Sequence, residues 1–99
     1  MSREARREMG FLLRRLQEGE KLSLPQSRPM PSIGKACHEL RVNDRTKTWR
    51  LFYFLDADAI VFLEVDEKKT QQTTKATIEV CQERCKSYEK TRKQKKRQS

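Results

Sequence analysis

Lys68, Lys69, Thr70 and Gln71 stand directly after a strongly apolar run and just before a segment with helical periodicity. Two adjacent ammonium groups beside a hydroxyl and an amide make a cationic, donor-rich patch. Such a patch suits phosphate oxygens better than a neutral metabolite. Arg41 and Arg50 lie on the two strand-like runs that come earlier, so a packed sheet can bring them near the lysines. The combination predicts a small protein that holds RNA and cuts it.

Cutting RNA internally needs attack of a 2′-hydroxyl on the adjacent phosphorus. A base takes the 2′ proton, cations neutralise the developing phosphorane, and an acid protonates the leaving 5′ oxygen. The chain has one histidine, His38, which excludes a two-histidine mechanism. Each candidate also has a plainer reading. Arg50 can project from an exposed sheet face and pair with Glu39 or Glu64, and the lysine pair can be a solvated charge run. His38 shares strand parity with Leu40 and Val42, which puts it at the core's edge, bonded to a backbone carbonyl. Cys81 and Cys85 are one helical turn apart and could join Cys37 and His38 around zinc. No cysteine pair has zinc-finger spacing, however, and burial as small apolar groups is the expected role.

The elements that must position these groups read clearly. Residues 3–18 form an amphipathic helix, with Ala5, Met9, Leu12, Leu13 and Leu16 on one face. Ser2 is placed to cap it and Gly19 to stop it. Residues 20–36 hold Pro25, Pro29, Pro31 and Gly34, and read as a linker. Three strands follow, at 38–42, 48–55 and 59–65, joined by short turns that imply an antiparallel meander. Residues 73–90 form a second helix with Ile78, Cys81, Cys85 and Tyr88 as its apolar stripe. The fold class is therefore α+β: N-terminal helix, antiparallel three- to four-stranded sheet, C-terminal helix. Trp49, Phe52, Tyr53, Phe54 and Phe62 are expected to form much of the core. Both helices are expected on one face of the sheet, leaving the other open to a ligand.

With 99 residues the chain makes one domain, assigned to 1–89, followed by a basic tail at 90–99 that extends the last helix or stays disordered. The net charge is +9. The tail holds Lys90, Arg92, Lys93, Lys95, Lys96 and Arg97 and no acid, so it carries two thirds of that excess. Such a tail favours polyanions of any sequence. No apolar run is long enough for a membrane span, and residues 1–4 do not open a secretory signal. Three cysteines without framework spacing fit a reducing, cytoplasmic compartment.

Three stretches together resemble the RelE/ParE superfamily of bacterial toxins, in particular its HigB-like, phage-derived branch. Met30-Pro31-Ser32-Ile33-Gly34 leads into His38-Glu39-Leu40-Arg41. Trp49-Arg50-Leu51-Phe52-Tyr53 is similar to the family's central strand. Lys68-Lys69-Thr70-Gln71, with Thr73, Lys75 and Ile78, resembles its lysine-rich signature. Ala5-Arg6-Arg7-Glu8 is also typical, and the likeness covers residues 3–88. It implies a RelE-like fold and a toxin of a type II toxin–antitoxin system. The implied activity is a ribosome-dependent, metal-independent mRNA endoribonuclease. It implies a helix-turn-helix antitoxin, the ribosome and mRNA as partners, with no membrane and no cofactor. On this basis Arg41 and Arg50 are the phosphate clamp, since a guanidinium grips two oxygens at once. Lys68 and Lys69 stand at the rim, Thr70 and Gln71 position backbone or base, and Lys75 holds the flanking phosphate. Asp66-Glu67, Gln72 and Thr74 depart from the family pattern and lower the local positive potential. They favour a catalytically inactive RNA-binding module as one alternative; a ParE-like gyrase inhibitor is the other.

Overall fold

The computed structural model describes residues 1–22, 26–57, 59–69 and 72–98, with side chains described as far as residue 93. Helix α1 (Arg3–Gln17) opens on Ser2, whose Oγ accepts from the Ala5 N–H at 3.1 Å. Asp44 accepts from the Ser2 N–H at 2.7 Å and from Trp49 Nε1 at 3.2 Å, which ties the helix start to a hairpin. Gly19, at φ +90°, takes the left-handed conformation that ends the helix. Strands β1 (Ser27–Pro29), β2 (Cys37–Asp44), β3 (Lys47–Leu55) and β4 (Ile60–Glu67) form one antiparallel sheet in that order. Helix α2 (Lys75–Gln98) completes the α+β fold and takes most of the basic tail into a helix. Among the described residues no helix is long and apolar enough to cross a membrane.

The expectation of an open sheet face is overturned. Helix α1 packs on one face, chiefly against β2, and α2 on the other, chiefly against β4. Ala5, Met9, Leu12 and Leu16 bury against Leu40, Val42, Leu51 and Tyr53. On the opposite face Phe52, Leu63, Cys37 and Cys81 pack with Met30 and Ile33 from the proline-rich segment. Strand alternation supplies both cores, because successive residues of β3 serve opposite helices. Thus Leu51 and Tyr53 serve α1, while Phe52 serves α2.

Two further expectations need correction. Phe62 is 55% exposed and not in the core. It pairs with Tyr53 on the α1 face, but α1 packs chiefly over β2, and this part of the edge strand β4 stays exposed. A bulge opposite Phe52/Tyr53 leaves Leu63 as the extra residue, and Leu63 is buried beneath α2 instead. Arg84 on α2 donates to the Leu63 carbonyl at 2.5 Å, satisfying a group the bulge frees from the ladder. Second, the 20–36 segment contains β1, hidden from sequence by its length and by Pro29. As a sheet edge it tolerates the proline.

Candidate nucleic-acid interface

The sheet brings three arginines from three strands together beneath the start of α2. Register aligns Arg28 with Glu39, and Arg41 with Arg50 and Asp66, in two adjacent rows. Glu39 is fully buried at their centre. Arg41 Nε donates to Glu39 Oε1. Arg28 Nη2 donates to Oε2 at 3.4 Å, and Arg50 Nη1 stands 4.0 Å from Oε2. A carboxylate this dry is stable only when surrounded by cations and donors.

Arg50 is only 2% exposed. Its Nε and Nη2 donate side-on to Asp66 Oδ1 and Oδ2 at 3.1 and 3.4 Å. Its Nη1 donates to Thr73 Oγ1 at 3.3 Å, and its guanidinium carbon lies 5.6 Å from the Phe52 ring centroid. Thr77 Oγ1 donates to Asp66 Oδ2 at 3.4 Å, so the carboxylate is held from α2 as well. Thr74 caps that helix by accepting from the Thr77 N–H at 3.3 Å, and the first turn contains no acid. The positive end of a long helix therefore faces the cluster.

The proposed site residues separate into distinct environments. Arg41 is 26% exposed at its side chain and reaches solvent. Arg50 does not, and its plainer reading holds in modified form: it pairs with Glu39 and Asp66, on a covered face, while Glu64 pairs with Arg84 at 3.4 Å. Lys68 is half-buried and extends the ladder by donating its N–H to the Thr48 carbonyl at 2.7 Å. Strand alternation puts it on the Asp66 side of β4. Lys69 is exposed. Lys75 is also exposed, with Nζ 4.0 Å from Glu79. Thr70 and Gln71 lie outside the described residues. A shallow hollow of about 320 Å³ adjoins the cluster, between Arg28, Pro31, Ser32, Gln72 and Thr73.

Arg28, Glu39, Asp66 and Thr73 are the members that sequence reasoning left out of the site. The signal for Glu39 was present: it is a carboxylate in strand phase with Arg41 and one position before a core leucine.

A larger hollow of about 1100 Å³ lies elsewhere, beside the end of α1 and the β3–β4 turn. It is lined by Leu16, Leu22, His38, Tyr53 and Ile60, with Glu20, Lys21 and Asp56 as its charged groups. Two acids and one lysine do not suit a phosphate. The His38 ring stacks on Tyr53 at 5.4 Å between centroids. The expected backbone partner is missing, because Nδ1 is buried without a hydrogen bond among the described residues. The Tyr53 hydroxyl is 2.7 Å from Ser27 Oγ, and burial raises its pKa. Burial likewise pushes the Cys37 thiol up to about 12 and Cys81 to about 11, which marks them as inert apolar groups. Among the described residues no set of His, Cys, Asp and Glu has the geometry to hold a metal ion.

The profile of one protein family, described as Phage derived protein Gp49-like (DUF891), matches residues 1–86. The chain belongs to the Gp49-like family. This family is RelE-like and toxin-like, and its match spans every strand, the arginine cluster and the first half of α2. No curated protein and no solved structure matches the chain. For a Gp49-like protein, then, the coarse reading is a toxin with an antitoxin partner.

Proposed function

We propose that this Gp49-like protein is the toxin of a HigB-like type II toxin–antitoxin system and acts in the cytoplasm as a ribosome-dependent mRNA endoribonuclease. The observation that supports this most is the gathering of Arg28, Arg41 and Arg50 from adjacent strands at the start of α2, with Lys68 and Lys69 at the end of β4. That is the donor set a phosphorane needs, since catalysis of this kind rests on fixed charge aimed at developing charge. Arg41, open to solvent, meets the phosphate first. Arg50 is the inner member of the clamp. Lys68 and Lys69 neutralise the transition state, one of them protonating the leaving oxygen. Thr70 and Gln71 position the backbone or base, and Lys75 holds the next phosphate. A helix-turn-helix antitoxin keeps the site silent.

One observation favours a second reading, an RNA-binding module that does not cut. Both faces of the Arg50 guanidinium fork already meet carboxylates. Induced expression separates the readings. Growth arrest, with new mRNA 5′ ends inside translated frames that disappear in Lys69→Ala and Arg41→Ala, is the expected result. Arrest with intact mRNA and inhibited supercoiling indicates a gyrase inhibitor. Unimpaired growth with RNA bound in vitro indicates the silent module.

A further inference from the structure

The side-on edge of Arg50, formed by Nε and Nη2, is the part of a guanidinium that grips a phosphodiester with two parallel hydrogen bonds. Here that edge holds both oxygens of Asp66. The two carboxylate oxygens are spaced much as two non-bridging phosphate oxygens are, and they carry the same charge. One further donor meets Asp66 from α2, the Thr77 hydroxyl, while Thr73, two residues before that helix, accepts from the same guanidinium. Asp66 is 27% exposed at its side chain while Arg50 is 2% exposed, so the aspartate lies between the arginine and solvent. It is also on the edge strand, where a side chain can swing outward without disturbing a neighbouring strand.

We propose that Asp66 is an internal substitute for phosphate: it fills the berth of Arg50, and a phosphodiester of single-stranded RNA binds there only by displacing it. This rests on the RNA-cleaving reading above and adds a built-in restraint to it. The chain in its resting form then holds RNA through Arg41 and the lysines alone. Full engagement requires the carboxylate to leave, and a partner or substrate that contacts β4 supplies the means.

The test compares the unmodified chain with Asp66→Ala and Asp66→Asn in binding to a short single-stranded RNA across a salt series. Opening the berth adds one charge-assisted phosphate contact, so Asp66→Ala is expected to bind about tenfold tighter. Its plot of log affinity against log salt steepens by about 0.7, the amount for one added phosphate on a single strand. Asp66→Asn keeps the shape and loses the charge, and gives a smaller gain in the same direction. Glu67→Ala removes a neighbouring carboxylate on the opposite side of β4 and serves as the control for general charge. Adding Arg50→Lys to Asp66→Ala abolishes the gain, with thermal unfolding confirming that each variant is folded. A gain in Asp66→Ala no larger than in Glu67→Ala, or no gain at all, overturns the proposal while RNA binding by the unmodified chain leaves the nuclease reading standing. Inorganic phosphate, followed through the Arg50 Nε–H resonance, distinguishes the converse. Phosphate captured by Asp66→Ala, with no RNA bound by any variant, upholds the berth and sinks the RNA reading.

Discussion

Replacing Glu39 with alanine removes the carboxylate on which three guanidinium groups converge. Before the change, Arg28, Arg41 and Arg50 are balanced by Glu39 and Asp66, leaving one uncompensated positive charge. Afterwards two remain uncompensated, around a cavity from which water was excluded. Removing one partner of a buried ion pair costs about 3–5 kcal/mol. The lower end applies here, because Arg28 and Arg41 are 33% and 26% exposed at their side chains and can turn toward water, while Arg50 retains Asp66. A domain of this size has roughly 5–15 kcal/mol of stability in all. A loss of about 3 kcal/mol lowers the melting temperature by about 12 to 24 °C. Thermal unfolding followed by far-UV circular dichroism measures it. In an Arg41→Ala background the same substitution is expected to cost at least about 1 kcal/mol less, since contacting charges are coupled. A Glu39→Ala protein that melts within about 4 °C of the parent refutes the view of Glu39 as the electrostatic centre of this site.

Tyr53→Phe leaves the buried Ser27 hydroxyl without its partner and is expected to cost about 1–3 kcal/mol in urea unfolding. Arg84→Ala uncaps the Leu63 carbonyl at the bulge and should cost about 1 kcal/mol by the same measurement, with no loss from Lys86→Ala as a control. The hydrogen bond from Tyr88, with the Ala57 N–H and Arg92 assisting, holds the Asp56 carboxyl below its ordinary value, and donors from Ser2 do so for Asp44. A lowered native pKa stabilises the fold above about pH 3.9 and that contribution disappears as pH falls further. Acid unfolding should therefore set in less steeply in Asp56→Asn. Cys37 and Cys81 act in the opposite direction: their raised native pKa values favour the fold below about pH 9, and the benefit is lost as pH climbs through about 11 to 12. Denaturant midpoints should fall at alkaline pH, less so in Cys37→Ala.

Helix α1 was legible because its apolar residues recur at a spacing only one helical face can satisfy, and Ser2 and Gly19 mark its ends. The hairpins were legible because alternating runs met short polar turns. Strand β1 was not, since three residues carry no periodicity and Pro29 argues against a strand unless the strand is an edge. The α2 stripe was read correctly, with Cys81 buried and Ile78 and Cys85 packed beside it. The position of each helix was not readable, because an amphipathic face states only that it will be buried, not on which side of a sheet.

The same division applies to the site. Residue order alone determined that Arg41 and Arg50 stand on successive strands, and that lysines follow the last strand. Only the folded chain decided what those cations meet. Register set Asp66 opposite Arg50 and Arg28 opposite Glu39. The placement of α2 then closed the face over them, turning groups that alternation leaves exposed into a dry network. Charge in a sequence is a count, whereas its effect depends on distance and on exclusion of water, and both are properties of the packed molecule.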